Sequence, residues 1–298
     1  MTPSRRPLPS HLFLFSFSVL LLFSLAACGS SQSSSNPPAL YIENKGSDTI
    51  VNLALAWAER YQAEHPDVRI SVTGGGSGTG LASLINGSAD IANASRKIKP
   101  EEAAEAQKNG IQPVEHVIAR DAIAVIVNPE NPVGELTLQQ VSDIYSGKIN
   151  NWQELGGEDR PIVRLSRETN SGTHIYFLET VLRLGEKDNQ TLFSMDTLLL
   201  PSSEGIVAEV RDNPNAIGYD GLGYVPKDLK VIAIARAADG PYVLPSAATV
   251  NDKTYPIARD LYMYTAGEPT GVLKAYLDWI FSPEAQEIVL QLGFVPIK

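Results

Sequence analysis

The chain has 298 residues, of which 43% are hydrophobic and 19% are charged, and this is enough sequence for two lobes of ordinary domain size. A formal net charge of −10 and the lack of any dense basic run exclude recruitment of nucleic acid or anionic lipid by long-range attraction. Because Cys28 is the single cysteine, an internal disulfide is excluded as well.

The first 27 residues have the pattern of a lipoprotein signal peptide. Two arginines precede an apolar run from 12 to 25, which ends in the motif Leu25-Ala-Ala-Cys28. The run is shorter than the roughly 20 residues of a membrane-spanning helix. We therefore predict a signal peptide at 1–27 and attachment of a lipid such as palmitate to Cys28. The alternative is a cleaved signal with an incidental cysteine.

Residues 29–38 contain no apolar side chain, which predicts a flexible tether over 28–38 that reaches roughly 17 Å. The globular part then begins near Ala39. We expect an exported protein, lipid-anchored to the outer face of the cell membrane or in the periplasm. Removal of the signal takes away two of the 24 basic residues and none of the 34 acidic ones, so the mature chain carries −12. An anionic ligand would need local hydrogen-bond donors, because distant charges are screened.

Strand and helix patterns alternate through the first half of the globular part. Strands are predicted at 40–42, 68–73, 90–95 and 117–127, and helices at 51–61, 81–87 and 100–110. Ser47 or Asp48 is a natural N-cap for the first helix. The alternation predicts an α/β architecture with largely parallel sheets.

A glycine-rich segment, Gly74-Gly-Gly-Ser-Gly-Thr-Gly80, joins a strand to a helix and is called the first loop below. Its backbone N–H groups, the hydroxyls of Ser77 and Thr79 and the positive end of the helix are the chemistry of an anion site. The alternative is a tight connection that binds nothing. A Walker A loop needs Lys where Leu81 stands, a dinucleotide fingerprint needs Gly at 79 or 81, and a nucleophile elbow needs Gly at 79.

The same pattern returns after Asn128-Pro129. Helices are predicted at 136–145, 203–210, 270–281 and 283–292, strands at 162–165, 216–219, 231–234 and 256–264, and a turn at 151–152. The segment Arg167-Glu-Thr-Asn-Ser-Gly-Thr173, called the second loop, again lies between a strand and a helix. Since the triplet Ser-Gly-Thr occurs in both loops, two lobes facing each other across a cleft would place both on one ligand.

Arg167 ends a strand four residues before Ser171, where its forked guanidinium could share an anion with backbone donors. The alternative is a surface salt bridge with Glu168 or Glu179. Asp48 has its own alternative, which is a role in capping alone.

His65, His116 and His174 show no metal-ligand spacing, so we expect structural or solvated histidines, no metal and no other cofactor. Ser171 with His174 is the least poor candidate for a nucleophile and base. Hydrolase chemistry is not favoured, and the chain is not expected to be an enzyme.

Several motifs, in the same order along the chain, resemble the phosphate-binding proteins of bacterial phosphate ABC transporters. The resemblance covers nearly all of 39–298 and is carried by Gly46-Ser-Asp-Thr49, the first loop, Ala89-Asp-Ile-Ala-Asn-Ala-Ser-Arg96, Ile118 to Val127, Ser146-Gly-Lys-Ile-Asn-Asn-Trp152, the second loop and Gly293-Phe-Val-Pro296. It implies an α/β, two-lobed periplasmic-binding-protein type II fold, with a hinge of two crossover strands and phosphate in a cleft between the lobes. Lobe I would be 39–124 with 256–298, and lobe II would be 125–255.

The resemblance also implies partners and ligand residues. The partners are inorganic phosphate and the permease subunits of an ABC transporter with its cytoplasmic ATPase, and the chain acts as a monomer. The phosphate ligands carried over by position are Ser47, Asp48, Ser77, Gly78, Thr79, Arg96, Arg167, Ser171, Gly172 and Thr173.

One position departs from the family pattern. Some members end the strand after Asp90 in Ala-Ser-Asp, and that acid accepts a proton from phosphate, whereas this chain has Ala94-Ser-Arg96. We therefore expect Asp48 to take the acceptor role. Two other functions stay open, namely a receptor for another tetrahedral oxyanion such as sulfate or molybdate, and an extracellular phosphoesterase on the same scaffold.

Overall fold

A computed structural model describes residues 40–297. The predicted signal peptide, the tether and the lipidation site Cys28 lie outside the described residues. Within 40–297, no helix is both long enough and apolar enough to cross a membrane.

Strands and helices follow one another as the sequence pattern predicts. The strands are β1 (Leu40–Gly46), β2 (Val68–Thr73), β3 (Ile91–Ala94), β4 (Val114–Val127), β5 (Glu135–Thr137), β6 (Val163–Arg167), β7 (Leu198–Leu200), β8 (Ala216–Gly221), β9 (Lys230–Val231), β10 (Ala233–Ala235) and β11 (Ala258–Thr265). The α-helices are α1 (Asp48–Glu64), α2 (Ser77–Ile85), α3 (Pro100–Lys108), α4 (Leu138–Tyr145), α5 (Gly172–Phe177), α6 (Ser203–Asp212), α7 (Ala247–Asn251), α8 (Gly271–Ile280) and α9 (Pro283–Gln291).

The local patterns explain why these segments adopt these structures. In α1, the buried side chains include Ile50, Leu53, Trp57 and Tyr61, which recur every three or four residues along one helical face. In β2, buried and exposed residues alternate at its start, as expected of a half-buried strand. Each element therefore has one apolar face to bury against its neighbours.

The main sheet has the strand order β2-β1-β3-β11-β4-β8-β6-β7, with β9 also paired to β4. The strands within each end of the sheet run parallel to one another: β1 pairs in parallel with β2 and β3 at one end, and β6 with β7 and β8 at the other. The middle is antiparallel, because β11 pairs with β3 and β4, and β4 with β8. The expectation of parallel sheets thus holds at the two ends, and β4 and β11 join them.

Apolar packing separates into clusters on the two sides of this central pair. One cluster contains Ile42, Trp57 and Leu261, and a second contains Val125, Tyr145 and Ile257. Along β4, Ala119 belongs to the first cluster and Ala122 to the second, so the strand passes from one cluster to the other between these two residues. The lobe boundaries at 124/125 and 255/256 stay a prediction.

Some short elements differ from the sequence-based prediction. The single strand predicted at 231–234 is two strands, β9 on the main sheet and β10 paired with β5 in a two-stranded sheet. The helix predicted at 136–145 begins at Leu138, because the residues before it form β5 and Thr137 caps the helix. Strands of two or three residues are too short to show an alternating pattern, which is why they were not separable in the sequence.

Candidate functional site

The first loop turns sharply through two glycines and enters α2. Gly75 and Gly76 have φ of 111° and 88°, a region that side-chain-bearing residues seldom adopt. Ser77 follows as the first helical residue and is fully buried. Its hydroxyl accepts a hydrogen bond from the backbone N–H of Ser95 at 3.0 Å and lies 3.3 Å from the Ser95 hydroxyl.

Ser47 completes a group of three buried hydroxyls on this side of the site. Its Oγ donates to Ser95 Oγ at 3.0 Å, and its backbone N–H donates to Asn93 O at 2.9 Å. Ser47 is the N-cap of α1, but its side chain makes no capping hydrogen bond. The hydroxyl is therefore directed toward Ser95 rather than toward its own helix.

The second loop has a different relation to its helix. Ser171 is the N-cap of α5, and its hydroxyl accepts from the N–H groups of Thr173 and His174 at 3.2 and 3.5 Å. Thr173 is fully buried, and its hydroxyl lies 2.8 Å from the hydroxyl of Thr49 on α1. The second loop thereby contacts the start of the first helix.

The structure brings the two loops together. The N–H of Gly78 donates to Asn170 O at 3.0 Å, and Asn170 Nδ2 donates to Gly75 O at 2.9 Å. A Cβ on Gly172 would lie 2.3 Å from Ser77 Oγ and 2.6 Å from Ser95 Oγ. Only a residue without a side chain fits at 172 in this arrangement.

Arg167 is buried and forms an ion pair with Asp48 at the start of α1. Its Nη2 donates to Asp48 Oδ2 and to Pro201 O, each at 2.8 Å, and its Nη1 donates to Ser203 Oγ at 3.0 Å. The ion-pair partner is Asp48, which rules out the surface salt bridge with Glu168 or Glu179. Asp48 also accepts from the Gly75 N–H at 2.8 Å through Oδ1.

Arg96 is the one predicted ligand residue that the structure does not bring to this group. Its guanidinium forms a bidentate ion pair with Glu102 at 2.6 and 2.8 Å and donates to Lys97 O. The reason is local, because α3 places Glu102 beside the end of β3. The neighbouring Ser95 lies among the site hydroxyls instead. Thr79 lies at the edge, with its hydroxyl 3.5 Å from Asn170 Nδ2.

Four residues that the sequence did not single out also belong to the site: Thr49, Ser95, Asp121 and Arg259. Arg259 on β11 pairs with Asp121 on β4 at 2.9 Å, and both side chains are buried. The same guanidinium donates to Ser95 O and Thr173 Oγ1, each at 3.0 Å. Asp121 could have been recognised in the sequence, because Arg120-Asp121 places two charged residues inside the otherwise apolar strand β4.

A cavity of about 480 Å³ adjoins this group at Arg259, which is one of its lining residues. Its lining combines cations with apolar and aromatic side chains, including Arg96, Tyr176, Arg259 and Tyr262. The hydroxyl cluster of Ser47, Ser77 and Ser95 does not line it.

The histidines take structural positions. His174 lies 2.9 Å from Ser166 Oγ through Nδ1 and stacks on Phe193, and burial lowers its pKa from 6.5 to about 4. Its ring therefore contacts Ser166 rather than Ser171, so the candidate nucleophile and base do not form a pair. Within residues 40–297, no group of three or more His, Cys, Asp or Glu side chains is arranged to hold a metal ion.

The arrangement offers what a small oxyanion needs. Helices α1 and α2 both begin here, so the partial positive charge of both helix N-termini faces the same region. Buried hydroxyls and the Arg167 guanidinium add further donors. The site sits between residues contributed by both ends of the sheet.

Comparison with known proteins gives matches over most of the chain. A family model described as a PBP superfamily domain matches residues 31–284. The phosphate-binding protein PstS of Bacillus subtilis is 34% identical over 283 residues, which cover 91% of this chain and 89% of the relative. PstS of Pseudomonas aeruginosa is 33% identical over 273 residues, which cover 86% of this chain and 83% of the relative.

Solved structures give the same picture. A proposed phosphate ABC transporter substrate-binding protein from Clostridium perfringens, solved with bound phosphate, has a TM-score of 0.77 and 34% identity, and the match covers 87% of this chain and 100% of that one. An ABC-type phosphate transport receptor from Vibrio cholerae has a TM-score of 0.68 and 28% identity, with 85% of this chain and 99% of that one covered.

Proposed function

The chain belongs to the periplasmic-binding-protein (PBP) superfamily and, within it, to the PstS family of phosphate-binding proteins, and from this we propose that it captures inorganic phosphate outside the cytoplasm for uptake by an ABC transporter. Its two-lobed type II fold is the scaffold for that capture. The protein acts as a binding receptor and not as an enzyme.

The observation that carries this proposal is the contact between the two loops. Gly172 fits against Ser77 and Ser95 only because it lacks a side chain. Arg167, at the start of the second loop, forms an ion pair with Asp48 at the start of α1. Donors from both ends of the sheet therefore converge on one small region. A tetrahedral anion held there would accept hydrogen bonds from both ends at once.

The proposed phosphate ligands combine predicted residues with those that the structure adds. They are Ser47, Asp48, Ser77, Gly78, Thr79, Arg167, Ser171, Gly172 and Thr173 from the sequence, and Thr49, Ser95 and Arg259 from the geometry. Arg96 is left out of the set because Glu102 holds its guanidinium.

Closure of the two lobes would couple binding to transport. We place lobe I at 39–124 with 256–298 and lobe II at 125–255, with a hinge in β4 and β11 near residues 125 and 257. A ligand that contacts both lobes favours the closed state by its differential affinity for that state. Tyr224 of the proposed lobe II donates through Oη to Asp48 O of the proposed lobe I at 2.6 Å, and a bond of this kind would also favour the closed state.

Closed, phosphate-loaded protein would dock as a monomer on the permease subunits, and the cytoplasmic ATPase would drive release and uptake. A lipid on Cys28 would keep the receptor at the outer face of the membrane. No cofactor takes part.

Calorimetry tests the function directly. Phosphate titrated into phosphate-depleted protein should bind at one site per chain, and sulfate or molybdate should bind much more weakly. Stronger binding of sulfate or molybdate than of phosphate would reassign the receptor to another oxyanion. Hydrolysis of a phosphomonoester by pure protein, lost in Ser171→Ala, would instead support the phosphoesterase alternative.

A further inference from the structure

A second cavity of about 480 Å³ lies along β11, and it is called the basic cavity below. The residues that define it are Arg120, Arg236, Asn251, Lys253, Arg259 and Asp260. It shares Arg259 and Asp260 with the cavity that Tyr176 and Tyr262 line. Apart from Arg259, the proposed phosphate ligands do not line it. It is therefore a different place in the molecule from the proposed phosphate site.

The charged side chains that line the basic cavity are mostly positive. The cations are Arg120, Arg236, Lys253 and Arg259, and the single acid is Asp260. Arg259 is neutralised by its ion pair with Asp121, and Arg120 lies 3.7 Å from Asp260. Two positive charges remain, in a chain whose 34 acidic residues outnumber its 24 basic ones. The basic cavity is therefore a local reversal of the overall charge.

Arg236 and Lys253 supply the free donors of this cavity. Both are exposed, and among residues 40–297 neither forms an ion pair. The Arg236 guanidinium makes one long hydrogen bond, from Nη2 to Lys253 O at 3.5 Å. Asp252, next to Lys253, accepts from the N–H and the hydroxyl of Thr254 at 2.9 and 2.6 Å instead. Most donors of the two cations are thus available to a ligand.

The backbone at Lys253 has an unusual conformation. Its φ is 62°, in the left-handed region that favours glycine. Lys253 follows Asp252, the C-cap of α7, at the position where helices most often have glycine. Its N–H donates to Val250 O at 3.2 Å, and its carbonyl accepts from Arg236. Because the backbone suits glycine, Lys253→Gly removes the charge and keeps the local conformation.

The basic cavity is bordered by both proposed lobes. Arg120 and Asp260 belong to the proposed lobe I, and Arg236, Asn251 and Lys253 belong to the proposed lobe II. One contact crosses between them, from Arg120 Nη1 to Asn251 Oδ1 at 3.2 Å. A ligand that binds Arg120 and Arg236 together would hold the arrangement in which the first and second loops touch. It would favour that arrangement by its differential affinity for it.

We propose that the basic cavity is a second anion site, which takes a small polyvalent anion such as a condensed phosphate and thereby strengthens the binding of inorganic phosphate. The effect on inorganic phosphate rests on the proposed function. A forked guanidinium binds phosphate oxygens in pairs, and linked phosphoryl groups present several such pairs at once. A single inorganic phosphate carries too little charge to hold several exposed cations against screening by salt.

Calorimetry with tripolyphosphate tests the site. The protein is first saturated with inorganic phosphate, which keeps the terminal phosphoryl groups of the probe out of the proposed phosphate site. Tripolyphosphate should then bind once per chain, with an affinity that falls as salt is added. Arg236→Gln and Lys253→Gly should each weaken this binding about threefold or more. Neither variant should change the affinity for inorganic phosphate when the probe is absent.

A second titration measures the coupling between the two sites. Inorganic phosphate is titrated with and without saturating tripolyphosphate, and its affinity should be about threefold or more higher with the probe. The increase should be smaller in the double variant Arg236→Gln, Lys253→Gly. A lower phosphate affinity with the probe would place tripolyphosphate in the phosphate site and overturn the proposal. An unchanged phosphate affinity would overturn it as well.

Lys187→Gln is the matched control. Lys187 lines a different cavity, where Glu179 and Glu186 balance Arg183 and Lys187, so its loss should leave tripolyphosphate binding unchanged. Equal weakening in Lys187→Gln and Arg236→Gln would overturn the proposal, and so would a phosphate-loaded parent that does not bind tripolyphosphate. A parent that binds no inorganic phosphate, but binds tripolyphosphate through Arg236, would contradict the proposed function and leave the second site in place. The two failures are therefore distinguishable.

Discussion

The two Ser-Gly-Thr triplets are identical in sequence and differ in register relative to their helices. In the first loop Ser77 is the first residue of α2, and Gly76 is the N-cap. In the second loop Ser171 is itself the N-cap, and α5 begins at Gly172. The hydroxyl of Ser171 is therefore used by its own helix, whereas that of Ser77 is used by Ser95 across the chain.

This one-residue offset changes what each triplet contributes. Thr173 is fully buried and hydrogen-bonded to Thr49 and Arg259, whereas Thr79 is half-buried at the edge of the site. A repeated motif thus marks two loops that face one ligand, but the helix start decides which atoms face inward.

The largest difference between the loops should appear on acidification, because His174 lies directly after the second loop. Its folded-state pKa of about 4 is below the unfolded value of 6.5, so the stability it allows is present above pH 6.5 and is lost as the pH falls toward 4. At pH 4 this effect should lower the unfolding free energy of the parent by about 3 kcal/mol, and the His174→Asn variant should not show that loss.

Asp220 acts in the opposite direction, because its pKa is raised and its cost to stability grows between pH 3.8 and about 6. The quantity to compare is therefore the unfolding free energy of His174→Asn minus that of the parent, from urea titrations at pH 4 and pH 7. A difference that does not change with pH would show that His174 is not held neutral by burial.

Arg167→Ala should have the next largest effect. It removes the guanidinium from the second loop and should weaken phosphate binding by about 1.5–3 kcal/mol, which is about tenfold or more. Arg96→Ala is the control on the side of the first loop. It breaks the pair with Glu102 and should leave phosphate affinity unchanged, as equilibrium dialysis with labelled phosphate would measure. An equal loss of phosphate affinity in the two variants would show that Arg96 also binds phosphate.

Gly172→Ala tests whether the loops must touch. A methyl group there would lie 2.3 Å from Ser77 Oγ, so the loops must separate or repack at a cost of roughly 1–3 kcal/mol, and phosphate should bind about fivefold more weakly or worse. Gly78→Ala is its counterpart, since that methyl would lie 3.3 Å from Asn170 O and needs only a small adjustment. The account fails here if Gly78→Ala is the more damaging of the two in calorimetry.

The smallest expected difference between the two triplets is one of stability, measured as unfolding free energy. Ser171→Ala removes a helix cap and should lower the unfolding free energy by about 1 kcal/mol. Thr79→Ala removes a hydroxyl at the edge and should change it by less than about 0.5 kcal/mol. Chemical denaturation of both variants at pH 7 checks this, and equal changes would contradict the difference in register.

Most of the fold was predictable because long strands and helices impose their own periods on the sequence, as in α1 and β2. The approach of the two loops was predictable from the repeated triplet and from the family resemblance. The partner of Arg96 was not, since Glu102 is close only after β3 and α3 pack together.

The role of Arg259 was equally hidden. It is a charged residue on a strand whose neighbours come from distant parts of the chain, so no local spacing indicates its partners. The residue at which each helix begins could not be predicted either. Both Gly and Ser are common N-cap residues, so the sequence does not show that Gly76 caps one helix and Ser171 the other.

A crystal structure of the protein grown with phosphate would test the central claim most directly. The account predicts one tetrahedral anion within hydrogen-bond distance of Ser77 in the first loop and of both Arg167 and Thr173 in the second. An anion bound by one loop alone, or one bound at Arg96 and Glu102, would contradict it.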